Sequence, residues 1–139
     1  MATAKWATPS AAGSNIASTT LDSLSNGSTS AFVTYDNSAN LDLYANVLVN
    51  LGSIAAAAGA SLTLRVYSCQ GSDVPDNSGL GGDTYTEALL VSTSAKVVVF
   101  RLVRLYPESL RLQILNSSGV ALAASGNSIK VRPFNESVT

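Results

Sequence analysis

The chain is 139 residues long, 46% apolar and 12% charged, with a formal net charge of −1, so it makes one domain that buries about 70% of the surface its unfolded form would expose. That charge balance excludes a polybasic nucleic-acid footprint or an acidic tail as the means of finding a partner. The sequence has no histidine, which removes Ser-His and Cys-His nucleophile pairs and His-ligated metal sites, and no apolar run approaches the roughly 18 residues of a membrane-spanning helix.

Residues 1–16 are mostly Ala, Ser, Thr and Pro without an apolar pattern or the apolar h-region of a signal peptide, and read as an extended arm of a protein made soluble in the cytoplasm. Residues 17–139 read as a single β-sandwich domain. The arm carries Trp6, the only tryptophan, expected either to anchor on a neighbouring subunit or to cap its own sandwich. Asn26-Gly27, between TTLDSL and TSAFVTY, predicts a type I′ hairpin, because both residues tolerate positive φ. The run DNSAN, 36–40, predicts the next reversal.

In LDLYANVLVNL, Leu41, Leu43, Ala45, Val47, Val49 and Leu51 alternate with Asp42, Tyr44, Asn46 and Asn50, which predicts a strand with one face in the core. IAAAAGAS is compatible with a helical turn, but Gly59 and its shortness favour a crossover between sheets. In SLTLRVYS, Leu62, Leu64 and Val66 point inward and Thr63, Arg65 and Tyr67 outward. Cys69 is the only cysteine, so it has no intrachain partner and reads as a small buried hydrophobe. A long loop rich in Gly, Asp, Asn and Pro follows over 69–84, and further strands are expected near 84–90, 96–105, 109–115, 120–124 and 128–133. In 109–115, Leu110, Leu112 and Ile114 face inward.

The run KVVVFRLVRL, 96–105, is different, because both parities are apolar. Val98, Phe100 and Leu102 share one face with Lys96 and Arg104, while Val97, Val99, Val103 and Leu105 share the other with Arg101. A strand of a two-layer sandwich faces one core, so the second face is expected to meet another chain or a covering loop. Turn signals every eight to twelve residues and long crossings near 52–60 and 69–83 predict an all-β fold, an antiparallel two-sheet jelly-roll-like sandwich of eight or nine strands.

The chemistry-bearing residues are sparse. Ser94 and Lys96 form no more than a formal Ser-Lys pair. Asp73, Asp76, Asp83 and Glu87 suit turns; a glycosidase pair or a calcium site is the alternative, but the order of an EF-hand loop is missing. No enzyme activity, metal or cofactor is therefore expected. Arg65, Arg104, Arg111 and Arg132 with Tyr35, Tyr44 and Tyr67 offer a stacking face for nucleic acid, but arginine is the charged residue most at home in protein interfaces, where it pairs with carboxylates and stacks on rings, and that reading takes precedence. Trp6, Val98, Phe100, Leu102, Arg104, Arg65 and Arg111 are the candidate interface residues. A lectin-like binding module using Tyr35, Tyr44, Tyr67 and the 69–84 loop is the other candidate.

The segments ATPSAAGSNIASTTLDSLSNGSTSAFVTYDNSANLDLYANV, LRVYS, VRLYPESLRL and NSSGVALAASGNSIKVRPFNE resemble the capsid decoration, or cement, proteins of tailed phages. The resemblance covers nearly the whole chain and rests on strand and turn patterns. It implies a jelly-roll virion protein that forms a homodimer on the outer surface of the capsid and clamps neighbouring major capsid subunits. It assigns no contact residue, and it implies no nucleic-acid or membrane partner.

Overall fold

The computed structural model describes residues 4–7, 14–69 and 83–138. Among these residues ten strands run in chain order: β1 Ala4–Trp6, β2 Ser14–Ala17, β3 Val33–Asp36, β4 Tyr44–Leu51, β5 Ser61–Ser68, β6 Asp83–Ala88, β7 Lys96–Arg104, β8 Ser109–Ser117, β9 Ser128–Phe134 and β10 Glu136–Val138. Eight of them form two four-stranded antiparallel sheets, ordered β2-β9-β4-β7 and β3-β8-β5-β6, and β1 pairs with β10 in a two-stranded ribbon. The two large sheets pack as a sandwich that does not close into a barrel. From β2 to β9 each connection crosses from one sheet to the other, except β5 to β6, which are neighbours. The 52–60 segment therefore crosses as expected, whereas the 69–83 segment joins two strands of one sheet.

Period-two alternation builds the core. Leu62, Leu64 and Val66 of β5 and Leu110, Leu112 and Ile114 of β8 meet Ala45, Val47, Val49 and Leu51 of β4 and Ile129 and Val131 of β9, all buried. Burying each larger side chain contributes about 1.5–3 kcal/mol relative to leaving it in water. Cys69 is buried beside this core. Where β4 leaves the core, Gly52 is pressed against the Ser125 backbone and the Ala123 side chain: a Cβ there would lie 2.4 Å from the Ser125 carbonyl oxygen and 2.7 Å from the Ala123 Cβ.

Several elements differ from the sequence expectation. Gly27 has φ +79°, but it does not close a hairpin. Residues 18–32 are turns and loop with one isolated bridge, Thr29 to Leu115, and β3 pairs with β8. The reason is a competing partner: the buried Asn116 donates its Nδ2 to the carbonyls of Leu24 and Val120, and Gly27 N–H donates to the Asn116 carbonyl. The same loop pairing keeps 120–124 out of a ladder. The arm reading also changes, because β2 is an edge strand on β9 with a bulge between Asn15 and Ala17. Leu41 and Leu43 precede β4 and stay exposed, Leu41 at φ +51°. Tyr67 does leave the inner face but is buried, with the Phe32 ring edge-on against it at 5.4 Å.

The loops are held by buried polar side chains. Asn37 accepts from Asp42 N–H and donates to the carbonyls of Asp42 and Tyr106. Asn127 accepts from Gly52 N–H and donates to Asp22 Oδ1 and the Ala123 carbonyl. Lys96, only 9% exposed, donates to the carbonyls of Ile54, Ser92 and Ser94 at 2.9, 2.8 and 2.8 Å. An ammonium has three donors, and here each has an acceptor.

Candidate interaction surface

The ambiguity of β7 resolves through a bulge. Val47 faces Phe100 and Ala45 faces Val103, so Asn46 alone opposes both Arg101 and Leu102. The extra residue shifts the parity. Val98 and Phe100 point into the core before the bulge, and Val103 and Leu105 point into it afterwards. Val98 and Phe100 therefore do not share an outward face with Leu102, which corrects the expected grouping: those two belong to the chain's own core. What remains outside is Val97, 61% exposed, and Leu102, 53% exposed, with Val99 half-buried between them.

Leu102 has φ +53°, a conformation that costs a bulky L-residue about 1–2 kcal/mol. Its N–H donates to Asn46 Oδ1. Two residues on, the Arg104 N–H donates to the Tyr85 hydroxyl at 3.0 Å. β7 is an edge strand of its sheet; the Leu102 bond runs inward to β4, whereas the Arg104 N–H is taken up by a side chain of β6 from the other sheet.

At the same end of the sheet lies an aromatic cluster. Phe134, Tyr44 and Arg104 stand in one cross-strand row, the rings of Tyr44 and Phe134 stack at 5.9 Å, and Trp6 meets both edge-on at 5.9 and 5.6 Å. The described contacts of Trp6 are thus with its own chain, and 56% of it is still exposed. Beside Tyr44 a cleft of about 480 Å³ is lined by Leu41, Asp42, Leu43, Arg104, Tyr106 and Pro107 among others. The Arg104 guanidinium lies 5.9 Å from the Tyr106 ring centroid, a cation–π distance. Tyr106 O–H donates to Asp83; that bond, then burial and the Asp83 charge, raise the phenol above its ordinary value, against the opposing charge of Arg104. Asp42 is held by Asn135 Nδ2 at 2.8 Å.

Arg65 and Arg111 lie elsewhere, on the outer face of the β3-β8-β5-β6 sheet. Arg111 is directly across from Tyr67, and Arg65 is across from Gln113 one row away. The Arg65 Nε is buried without a hydrogen-bond partner among the described residues. The structure thus brings Trp6, Leu102 and Arg104 to one sheet and Arg65 and Arg111 to the other.

The three tyrosines of the lectin-like reading are not assembled. Tyr35 packs against the core from the inner face of β3, where burial, then the charges of Asp42 and Asp36, raise its phenol. Tyr44 and Tyr67 stand on opposite outer faces. Asp73 and Asp76 lie outside the described residues, as does most of the 69–84 loop. Lys96 meets the carbonyl of Ser94, not its hydroxyl, so the formal Ser-Lys pair is not formed. Among the described residues no group of three His, Cys, Asp or Glu side chains is placed to hold a metal ion.

Sequence reasoning missed Leu41, Leu43, Tyr106 and Phe134. No local signal marked the first two as exposed, since they continue the alternation of β4; the aromatic pair gains meaning only from cross-strand register. Comparisons with protein-family models, with curated proteins and with solved structures found no match.

Proposed function

We propose that the protein is a structural virion component that decorates a tailed-phage head, binding and bridging major capsid subunits on the outer surface of the shell. The observation that carries this reading is Leu102, a leucine held at positive φ and more than half exposed on a sheet face. A strained backbone retained around an exposed apolar side chain suits a contact residue better than a packing residue. Trp6, Leu41, Leu43 and Val97 are also exposed and extend the contact area, with Arg104 among them.

Within this reading the sandwich is a jelly roll. The orders β2-β9-β4-β7 and β3-β8-β5-β6, with every connection from β2 to β9 except β5 to β6 crossing between the sheets, are those of two interleaved Greek keys. A second copy is proposed to cover the open part of the β7 edge, because an uncapped edge strand templates pairing with another strand. The protein then works by contact alone, without cofactor, nucleic acid or membrane, and resides on the virion after synthesis in the host cytoplasm.

The cleft between Tyr44 and Tyr106 supports a second reading, a carbohydrate- or receptor-binding module, since it combines aromatic rings with one guanidinium and one carboxylate. Purified mature heads separate the two. The decoration reading expects the protein in stoichiometric amount on heads of the phage whose genome carries its gene, and its loss from chemically stripped heads. Absence from heads together with binding on a glycan array would replace it with the module.

A further inference from the structure

The four strands β2, β4, β7 and β9 contain no Asp or Glu, although the whole chain is slightly acidic, with a net charge of −1. Their outer face carries Lys130 and Arg132 from β9 and Arg101 and Arg104 from β7. Lys96, the remaining cation of this sheet, is turned inward and bound to carbonyls. The opposite sheet has both signs, with Asp36, Asp83 and Glu87 beside Arg65 and Arg111. The strands of the first sheet thus carry cations alone while the other sheet mixes both signs, and the carboxylate at the end of the cationic face is Asp42, beside Arg104 in the cleft.

The register sets the pattern. Lys130, Leu48 and Val99 form one cross-strand row; Arg132, Asn46 and the Arg101–Leu102 bulge form the next. Strands sit about 4.8 Å apart, so the β9 cations and the β7 cations stand roughly 10 Å from each other, on either side of a central row, Leu48 and Asn46 of β4. Leu102 and Val97 on β7 add exposed apolar surface beside that central strand.

We infer that this face docks an acidic amphipathic protein segment, one whose apolar side chains sit over Leu48, Val99 and Leu102 while carboxylates on its two flanks reach Lys130 and Arg132 on one side and Arg101 and Arg104 on the other. Charge complementarity selects the sign of the partner, and the apolar and amide centre selects protein over nucleic acid, whose phosphates would leave Leu48 and Leu102 uncovered. The inference rests on the proposed reading of this face as an interface, but not on the partner being a phage shell.

The test is a titration of the isotopically labelled full chain, followed by amide chemical shifts, with three probes: a synthetic amphipathic Glu/Leu peptide, the same peptide with every Glu replaced by Gln, and a single-stranded oligothymidine. The acidic peptide should shift the amides of Leu48, Val99, Arg101 and Lys130, bind about tenfold or more tightly than the Gln peptide, and weaken as salt rises. Lys130→Gln and Arg101→Gln, both solvent-side changes that leave the core intact, should each weaken it several-fold. Equal binding of the two peptides, shifts confined to another surface, or tighter binding of the oligothymidine would overturn the inference. Because no head enters the experiment, failure to bind heads with peptide binding intact would count against the shell and not against the acidic segment.

Discussion

The backbone N–H of Leu102 donates to the Asn46 side-chain oxygen at 3.3 Å, so the residue that protrudes from the edge strand is tethered to the centre of the sheet. The tether and the strain oppose one another. Replacing Leu102 by Gly relieves a left-handed conformation that costs a branched residue about 1–2 kcal/mol, while removing little packing. Leu102→Gly is therefore expected to leave stability unchanged or raise it by about 1 kcal/mol, and to weaken head binding. Asn46→Ala should cost about 1 kcal/mol. Urea unfolding checks both, and a loss well above 1 kcal/mol in Leu102→Gly would make Leu102 a packing residue.

Buried asparagines hold the loops that could not form ladders. Asn116→Ala removes two donated bonds and one accepted from Ser118 N–H in a site with no solvent exposure. Unfolding should be easier by about 3 kcal/mol, since each orphaned buried group costs roughly 1–3 kcal/mol. Asn26→Ala, which loses one exposed bond to Gly119 N–H, serves as the comparison and should cost under about 1 kcal/mol.

Lys96→Met keeps an aliphatic stem of similar length and deletes the ammonium. If Lys96 served only as packing the change would be neutral. Because its three bonds join the 92–94 turn to the 52–60 crossing, a loss of about 2 kcal/mol is expected, with faster amide exchange in the turn.

Tyr106 titrates above its ordinary 10.0, chiefly because its O–H donates to Asp83. A raised folded value means the native state holds this proton more firmly than the unfolded chain does. Its contribution is thus complete below about pH 10 and is lost as pH rises through the higher folded value. Tyr106→Phe should lower stability by about 1 kcal/mol at neutral pH and remove that part of the alkaline decline in melting temperature. An unchanged alkaline limb in the variant would show that the bond does not couple to folding.

Where the alternation was unbroken, sequence and structure agree. β4 from Ala45 onward, β5 through Val66 and β8 each bury the residues that their period-two pattern selects, because one buried face imposes that pattern directly. β7 was not legible, since a bulge that inserts Leu102 shifts parity by one residue and no Gly or Pro marks it. The Asn26-Gly27 pair signalled positive φ correctly but not what the flanking segments would pair with, which depended on Asn116, distant in sequence. Tyr67 looked outward and is outward; its cover, Phe32, comes from a loop with no periodicity. The cationic sheet face was hidden for a similar reason, because a composition near neutrality says nothing about which strands the topology places side by side.

The most direct measurement is quantitative cosedimentation of the 139-residue protein and its Leu102→Asp variant with stripped tailed-phage heads, the partner proposed above, after circular dichroism has shown that both are folded. A decoration protein docking through this sheet face binds saturably as wild type and is at least about tenfold weaker with an aspartate in place of the exposed leucine, the loss expected from about 1.4 kcal/mol or more of contact. Heads that take up neither protein, or that take up both equally, contradict the account.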